Sequence, residues 1–357
     1  MSDRRIAAVQ RVLQQNEIGA LLASVGSDLP YLTGYRAMPL ERITALVVPG
    51  VGDADLFVPE LEAPRVATAV EVRPWGETTD PFDLIASALP KSGIVAVGDQ
   101  MWSSFLIALQ ERLPGIRFVD AESIMAPLRM IKDEDEIAAL RDAGHAVDGV
   151  ADELATLRFS GRTEREMSRI VSDLVLASGH ESVSFAIVAA GSNGASPHHE
   201  ASDRVIRPGD AVVVDFGGRM RGYGSDTTRM YCVEETPEGF DDAYAVLEHA
   251  QSVSVESVRP GTTAQAIDTA ARSIIADGGY GEFFIHRTGH GIGLDAHEQP
   301  YIVQGNTQEI RVGMAFSIEP GIYVPDRWGM RIEDVVVVTG DGVERLNRSS
   351  RALRLVE

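Results

Sequence analysis

The sequence predicts a mixed α/β protein of the α+β kind in two parts: an α/β domain over residues 1–126 and a duplicated domain over 127–357. Three observations carry this. Short β-like runs alternate with helical patterns through the first third. A capping box at Asp133 and Glu136 then opens one long amphipathic helix. The remainder repeats itself with a period near one hundred residues, about the scale on which a single domain can duplicate.

The chain is 357 residues long, enough for two domains with sizeable cores. In the first third, helical spacing at Ile6, Val9, Val12 and Leu13 marks a helix over residues 4–16. Strands are expected at Ala20–Ser24, Ile43–Val48, Asp55–Val58, Val66–Val72, Ile94–Val97 and Arg117–Val119. Helices are expected near Asp83–Leu89 and Ser104–Leu113. This part carries no Gly-rich phosphate loop and no convergent His/Asp/Glu cluster, so covering a site or making an oligomer contact is its expected work. Tyr31-Leu-Thr-Gly34-Tyr35 reads as an aromatic turn, packed locally or facing substrate. After Asp133, the apolar positions Ile137, Leu140, Ala143, Val147, Ala151 and Leu154 recur every three or four residues. Gly144 weakens that helical pattern without breaking it.

The repeat pairs Gly161-Arg-Thr163 with Gly261-Thr-Thr263, each opening a helix. It also pairs Ile206-Arg-Pro-Gly209 with Ile310-Arg-Val-Gly313. A carboxylate follows the glycine by six residues in each copy, Asp215 and Glu319, and a second carboxylate follows on the next strand, Asp226 and Glu333. Two such halves packed about a pseudo-twofold axis bring the four carboxylates to one seam. Their strands are apolar, as in Val212-Val-Val-Asp215, and isolated buried charges are very costly. Four neighbouring carboxylates repel one another unless cations lie between them. His290 adds an imidazole, an oxygen-rich set that suits Mn²⁺, Co²⁺, Fe²⁺ or Zn²⁺. The competing reading is scattered carboxylates in salt bridges with Arg229 and Arg331.

The stretch His286–Glu298 holds three of the eight histidines: His286, His290 and His297. Gly289, Gly291 and Gly293 are expected to let the backbone turn and a ligand approach. The spacing does not match a dinucleotide loop. His145, His180 and His249 read as structural, His286 leans the same way, and His199 faces solvent or braces its neighbour.

Formal net charge is −21, which disfavours nucleic acid. No apolar run reaches membrane-span length, and the N-terminus does not read as a signal peptide. Cys232 is the single cysteine, so a disulfide framework and a cysteine zinc site are excluded and a reducing cytoplasm fits.

The second part resembles the "pita-bread" metallopeptidases: methionine aminopeptidase, aminopeptidase P and prolidase. The resemblance rests on Val-Asp215-Phe-Gly-Gly, Ser-Asp226-Thr-Thr-Arg, Gly-His290-Gly-Ile-Gly-Leu, Ile-Glu319-Pro-Gly and Met-Arg331-Ile-Glu333-Asp. Pro197-His198 and His297-Glu298 point to its proline-specific branch, Xaa-Pro dipeptidase (prolidase) or aminopeptidase P. The first part is similar to that branch's creatinase-like N-terminal domain, Tyr31-Leu-Thr-Gly34 included.

The resemblance implies two divalent metals, Mn²⁺ foremost. Asp215 would hold one, His290 and Glu319 the other, and Asp226 and Glu333 would bridge them. Glu319 would also be the general base. His198 and His297 would act on the carbonyl oxygen, and Arg331 and Thr228 would orient carboxylates. His198, Tyr301 and Tyr31 are the candidate substrate contacts, and short proline-containing peptides the expected substrates. A homodimer is implied, in which the N-terminal domain limits substrate length. Two positions depart from the pattern. Ala296 stands where Ile or Val is usual, and Tyr301 stands where some prolidases carry an Arg that holds a dipeptide's carboxylate. Tyr301 leaves room for a longer peptide. Creatinase-like or lyase-like hydrolysis, or a non-catalytic peptide-binding role, are the alternatives.

Overall fold

The computed structural model describes residues 2–357, and the chain divides into two compact units at Arg129/Met130. The N-terminal unit is built on a six-stranded sheet. Its strands run in the spatial order Glu71–Trp75, Asp55–Pro59, Ala45–Pro49, Ala20–Ala23, Gly93–Val97 and Ile116–Asp120. The two pairs at the centre that involve Ala45–Pro49 are antiparallel and the others are parallel. Ala20, Leu22, Val95 and Val97 pack with Ile85, Phe105 and Leu109 from helices Pro81–Ala88 and Ser103–Arg112. Asp80 caps the first of these by accepting from the Phe82 amide at 2.9 Å, with Pro81 pre-set in the first turn.

One strand lies later than its apolar run suggests. The expected Val66–Val72 strand is Glu71–Trp75, after a 3₁₀ turn at Ala63–Arg65. Pro74 is tolerated because this strand is at the sheet's edge, where its missing N–H breaks no ladder.

The C-terminal unit opens with helix Glu134–Leu154, whose Asp133/Glu136 capping box is formed. Gly144 is a packing requirement within it, since a Cβ there would sit 2.9 Å from the Leu346 carbonyl. Two five-stranded sheets follow, with a separate hairpin of Gly321–Val324 and Trp328–Arg331. The first sheet orders Arg354–Val356, Thr227–Val233, Ala211–Met220 and Ser182–Ala190, with Tyr223–Gly224 alongside. The second orders Glu298–Ile302, Gly289–Gly291, Ala315–Ile318, Asp334–Val338 and Val343–Arg345.

Strand Ala211–Met220 is buried on both faces. Val212, Val214 and Phe216 pack against helices Glu134–Leu154 and Glu164–Ala177, while Ala211 and Val213 pack with Phe240, Leu247 and Ile275. Such a strand reads as a continuous apolar run, and Asp215 is the exception in it.

The internal repeat is visible in the backbone. Gly161 and Gly261 have φ of 85° and 86°, and Gly209 and Gly313 have φ of 80° and 87°. Thr163 bridges Val205 and Thr263 bridges Glu309. The two halves differ at the helix cap. Thr163 forms a capping box with Glu166, whereas Thr263 makes no side-chain cap and Ala266, at the equivalent position, has no side chain to return the bond.

Candidate metal centre

Four strands of the C-terminal unit deliver acidic side chains to one place. Asp215 lies within strand Ala211–Met220, paired with Thr228, and Asp226 just precedes strand Thr227–Val233. Glu319 directly follows Ala315–Ile318, and Glu333 directly precedes Asp334–Val338. His290 is the middle residue of strand Gly289–Gly291. One ligand atom each from Asp226, His290 and Glu333 lie within 4.8 Å of one another. His290 Nε2 is 3.2 Å from Glu319 Oε1 and 3.7 Å from Asp226 Oδ2.

The imidazole is oriented by its other nitrogen. Nδ1 donates to the Gly291 carbonyl at 3.1 Å, which turns Nε2 toward the carboxylates, where it donates to Glu319 in the metal-free fold. The three glycines around it have a different reason from the expected turn or ligand approach. None has positive φ. A Cβ on Gly289 would meet the Ser317 carbonyl at 1.9 Å, and one on Gly291 the Gln299 carbonyl at 2.2 Å. They let neighbouring strands close around His290. On the following turn, Gly293 makes room for Glu298, whose carboxylate accepts from the buried Lys132 ammonium at 2.5 Å.

A second set of residues holds the carboxylates. Arg331 Nη2 donates to Asp215 Oδ2, and its Nε donates to the Thr228 hydroxyl at 3.1 Å. Thr228 in turn donates to Glu333 Oε2 at 2.7 Å. Ser317 donates to Glu319 Oε1 at 3.0 Å and accepts from the His290 amide. Arg331 Nη1 reaches the Tyr323 hydroxyl at 2.7 Å, and that hydroxyl meets His286 Nε2 at 2.9 Å.

These partners do not satisfy the cluster. Asp215 Oδ1 and Glu333 Oε1 are buried with no hydrogen-bond partner. Burial and the neighbouring Asp215 charge push Asp226 well above the usual carboxylate range, and burial and the Asp226 charge do the same to Glu333. Burial also raises Asp215, partly offset by Arg331. Burial would lift Glu319 too, but the hydrogen bond and charge of His290 override it and hold Glu319 at about 2. For His290, burial acts downward and the Glu319 hydrogen bond more than compensates, so it titrates above its ordinary value. The site therefore has too few positive charges for its carboxylates. Orphaned anionic oxygens beside an imidazole nitrogen that a cation can strip of its proton are the donor set that a divalent cation requires, so these residues fit the metal implied for them.

The cluster forms one wall of a cavity of about 710 Å³. Phe185, Ile187, Pro197 and Ile285 give it an apolar side, and His198, His286, Arg287 and His297 a polar one. The His297 ring lies 4.0 Å from that of His290. Burial, with the charges of His290 and Arg287, holds it down at about 4, so it is neutral at physiological pH. His198 is exposed at the cavity. His199 points elsewhere, to Glu164 Oε2 at 2.8 Å.

Tyr301 pairs with His290 across the strands and carries the Arg287 guanidinium 4.4 Å over its ring, and it is outside the cavity lining. Tyr31 belongs to the N-terminal unit, buried, its hydroxyl donating to the Leu128 carbonyl at 3.1 Å. Tyr323, Ser317 and Arg287 are not singled out by sequence reasoning, and His286, read there as leaning structural, lines the cavity. Ser317 had a signal: it precedes Glu319 by two residues and so shares its strand face.

Residues 138–340 match the metallopeptidase family M24 and residues 5–131 the creatinase/prolidase N-terminal domain. The chain belongs to metallopeptidase family M24. Among its M24 relatives, the Xaa-Pro dipeptidase of Lactobacillus delbrueckii subsp. lactis is 35% identical, with 98% of each chain covered. The crystal structure of dipeptidase PepE from Mycobacterium ulcerans superposes with a TM-score of 0.93 at 43% identity, covering 99% of this chain and 98% of that one. Recombinant prolidase from Thermococcus sibiricus superposes with a TM-score of 0.96 at 35% identity, over 100% of this chain and 99% of that one.

Proposed function

We propose that this M24 chain hydrolyses the Xaa-Pro bond of dipeptides with two divalent cations, Mn²⁺ foremost, held by Asp215, Asp226, His290, Glu319 and Glu333. The observation that carries this is the pair of orphaned carboxylate oxygens, Asp215 Oδ1 and Glu333 Oε1, on the wall of a cavity flanked by His198 and His297. The dipeptidases and prolidases among its relatives support the substrate class.

Bound cations would supply an activated water and a positive field for the carbonyl oxygen. The chain's own residues do the rest. Glu319, ionised at neutral pH, takes the proton of the attacking water and carries it to the proline nitrogen, which must be protonated to leave. His297, neutral at neutral pH, and His198 donate N–H groups to the carbonyl oxygen as negative charge develops there. Arg331 and Thr228 hold the carboxylates in place. Phe185 and Ile187 form an apolar wall for the pyrrolidine ring. An Xaa-Pro amide has no N–H, so this wall needs no hydrogen-bond acceptor.

In the same reading residues 127–357 form the catalytic domain. Residues 1–126 limit substrate length and make the contact of a homodimer. The buried free Cys232 supports a reducing cytoplasmic setting. The described helices include none long and apolar enough to cross a membrane.

The test removes metal with a chelator, restores Mn²⁺ and follows Ala-Pro hydrolysis. Activity lost and then regained supports the proposal. Unchanged activity in the metal-free protein contradicts it. Comparing Ala-Pro with Ala-Pro-Ala separates a dipeptidase from an aminopeptidase P.

A further inference from the structure

The cavity wall described above is dominated by carboxylates, yet a dipeptide substrate carries a carboxylate of its own. Something positive must receive it. Two arginines line the cavity, Arg287 and Arg331. Arg331 is only 3% exposed and fully committed, donating to Asp215, Thr228 and the Tyr323 hydroxyl. Arg287 is half-buried and forms no ion pair with a carboxylate among the described residues. Its one strong contact is with the face of Tyr301, 4.4 Å from the guanidinium carbon to the ring centroid.

That contact has a consequence for recognition. A guanidinium carries its five N–H donors in its own plane. Stacking on an aromatic face uses the flat side of the group and leaves the in-plane donors free. A carboxylate is bound best by such a fork, through two parallel N–H···O bonds. Tyr301 thus holds Arg287 in place without consuming a donor, and a stiffened side chain loses less freedom when it binds. The backbone supports the same arrangement. Tyr301 pairs with His290 across adjacent strands, and Arg287 precedes His290 by three residues. The guanidinium is therefore tied to the segment that presents His290, the imidazole of the proposed metal centre.

We propose that Arg287, stacked on Tyr301, binds the free C-terminal carboxylate of the substrate and so selects dipeptides over longer Xaa-Pro peptides. This rests on the Xaa-Pro reading above and adds, to the limit assigned to residues 1–126, a residue that reads the substrate's terminal charge. A longer peptide places a neutral amide carbonyl beside Arg287, and the charge-assisted bond is lost.

The experiment uses the full-length, Mn²⁺-loaded protein with two substrates, Ala-Pro and Ala-Pro-amide, which differ only in the charge of the terminal group. In the wild type the free acid is preferred. In Arg287→Gln the acid-over-amide ratio of kcat/KM falls about tenfold to a hundredfold, mostly through KM of the free acid. Arg287→Lys retains an intermediate ratio, because it keeps the charge and loses the fork. A merely structural role for Arg287 would depress both substrates together and leave the ratio within about twofold of wild type, which overturns the proposal. If Arg287→Gln does not fold, the wild type alone decides: an acid-over-amide ratio near one overturns it. Wild-type protein that turns over neither substrate contradicts the Xaa-Pro reading. Turnover with a ratio insensitive to Arg287 contradicts only the role of Arg287.

Discussion

Glu333 and Asp334 are adjacent in sequence, both buried to within 1% of full burial, and they live in opposite electrostatic surroundings. Asp334 is surrounded by cations. Arg229 donates to it at 2.8 Å, Arg351 at 3.0 Å and Arg345 also donates, with Gln251 nearby. Burial alone would raise its pKa, but Arg229, Arg351 and Arg345 hold it below the usual range. Glu333 has one hydroxyl donor, Thr228, one orphaned oxygen and a strongly raised pKa. Alternation along the strand sends the two side chains to opposite faces. One face is neutralised by the protein itself. The other is left short of positive charge, as a cation site must be. Burial of a carboxylate therefore does not identify function here, and the supply of counter-charge does.

Separating the two faces gives the largest expected effect. Glu333→Gln lowers kcat/KM by on the order of a thousandfold or more, beyond the ten- to hundredfold typical of residues that only orient a ligand. The protein remains folded, since the substitution removes an unneutralised charge. Circular dichroism and steady-state kinetics check both halves of that statement. Asp334→Asn does the reverse. It leaves three arginines without their shared partner and destabilises the fold by about 3–5 kcal/mol, as denaturant unfolding measures. An Asp334→Asn protein as stable as wild type would remove the comparison's structural half.

A smaller effect is expected at the link between the faces. Thr228→Val removes the donor to Glu333 and the acceptor of Arg331. It lowers metal affinity or activity by about ten- to a hundredfold while the Arg229–Asp334 pair stays intact. Calorimetric titration with Mn²⁺ reads the affinity directly.

The smallest expected effect is on pH dependence. Asp226, Glu333 and His290 all titrate above their ordinary values in the metal-free fold. The folded chain then holds protons that the unfolded chain releases. Their contribution to the metal-free protein's stability is complete below the ordinary values and is lost as pH rises through the raised ones. Asp334 has the opposite sign, adding stability above the ordinary carboxylate value and losing it as pH falls through its lowered one. Bound cations displace the protons from the first group. The rise in Tm on adding Mn²⁺ is therefore larger near pH 8 than near pH 6, and a rise independent of pH would contradict the raised values.

The duplicated plan of the C-terminal unit is legible in the sequence because it is local. A left-handed glycine, a strand and a carboxylate recur at fixed spacing, and Gly209 and Gly313 adopt nearly the same φ. The ends of the amphipathic helix after Asp133 are legible for the same reason. What is not legible depends on partners distant in the chain. Gly144 exists for the Leu346 carbonyl, about two hundred residues away, and Gly289 for Ser317. No spacing rule anticipates either contact. His286 cannot be told from a structural histidine until Tyr323 and the cavity are in place. Arg287 carries no signal of its own in the sequence, and only its contact with Tyr301 and its place in the cavity wall set it apart. Strand Glu71–Trp75 is displaced from its apolar run because pairing with Asp55–Pro59, not hydrophobicity, sets its register.

The most direct test is a count of metal ions. Native mass spectrometry of the full-length protein with Mn²⁺ at neutral pH should show two ions per chain in wild type and in any folded Asp334→Asn protein, and fewer in Glu333→Gln. A wild type that binds no ion, or a Glu333→Gln protein that binds as many as wild type, would contradict the assignment of the charge-starved face as the metal centre.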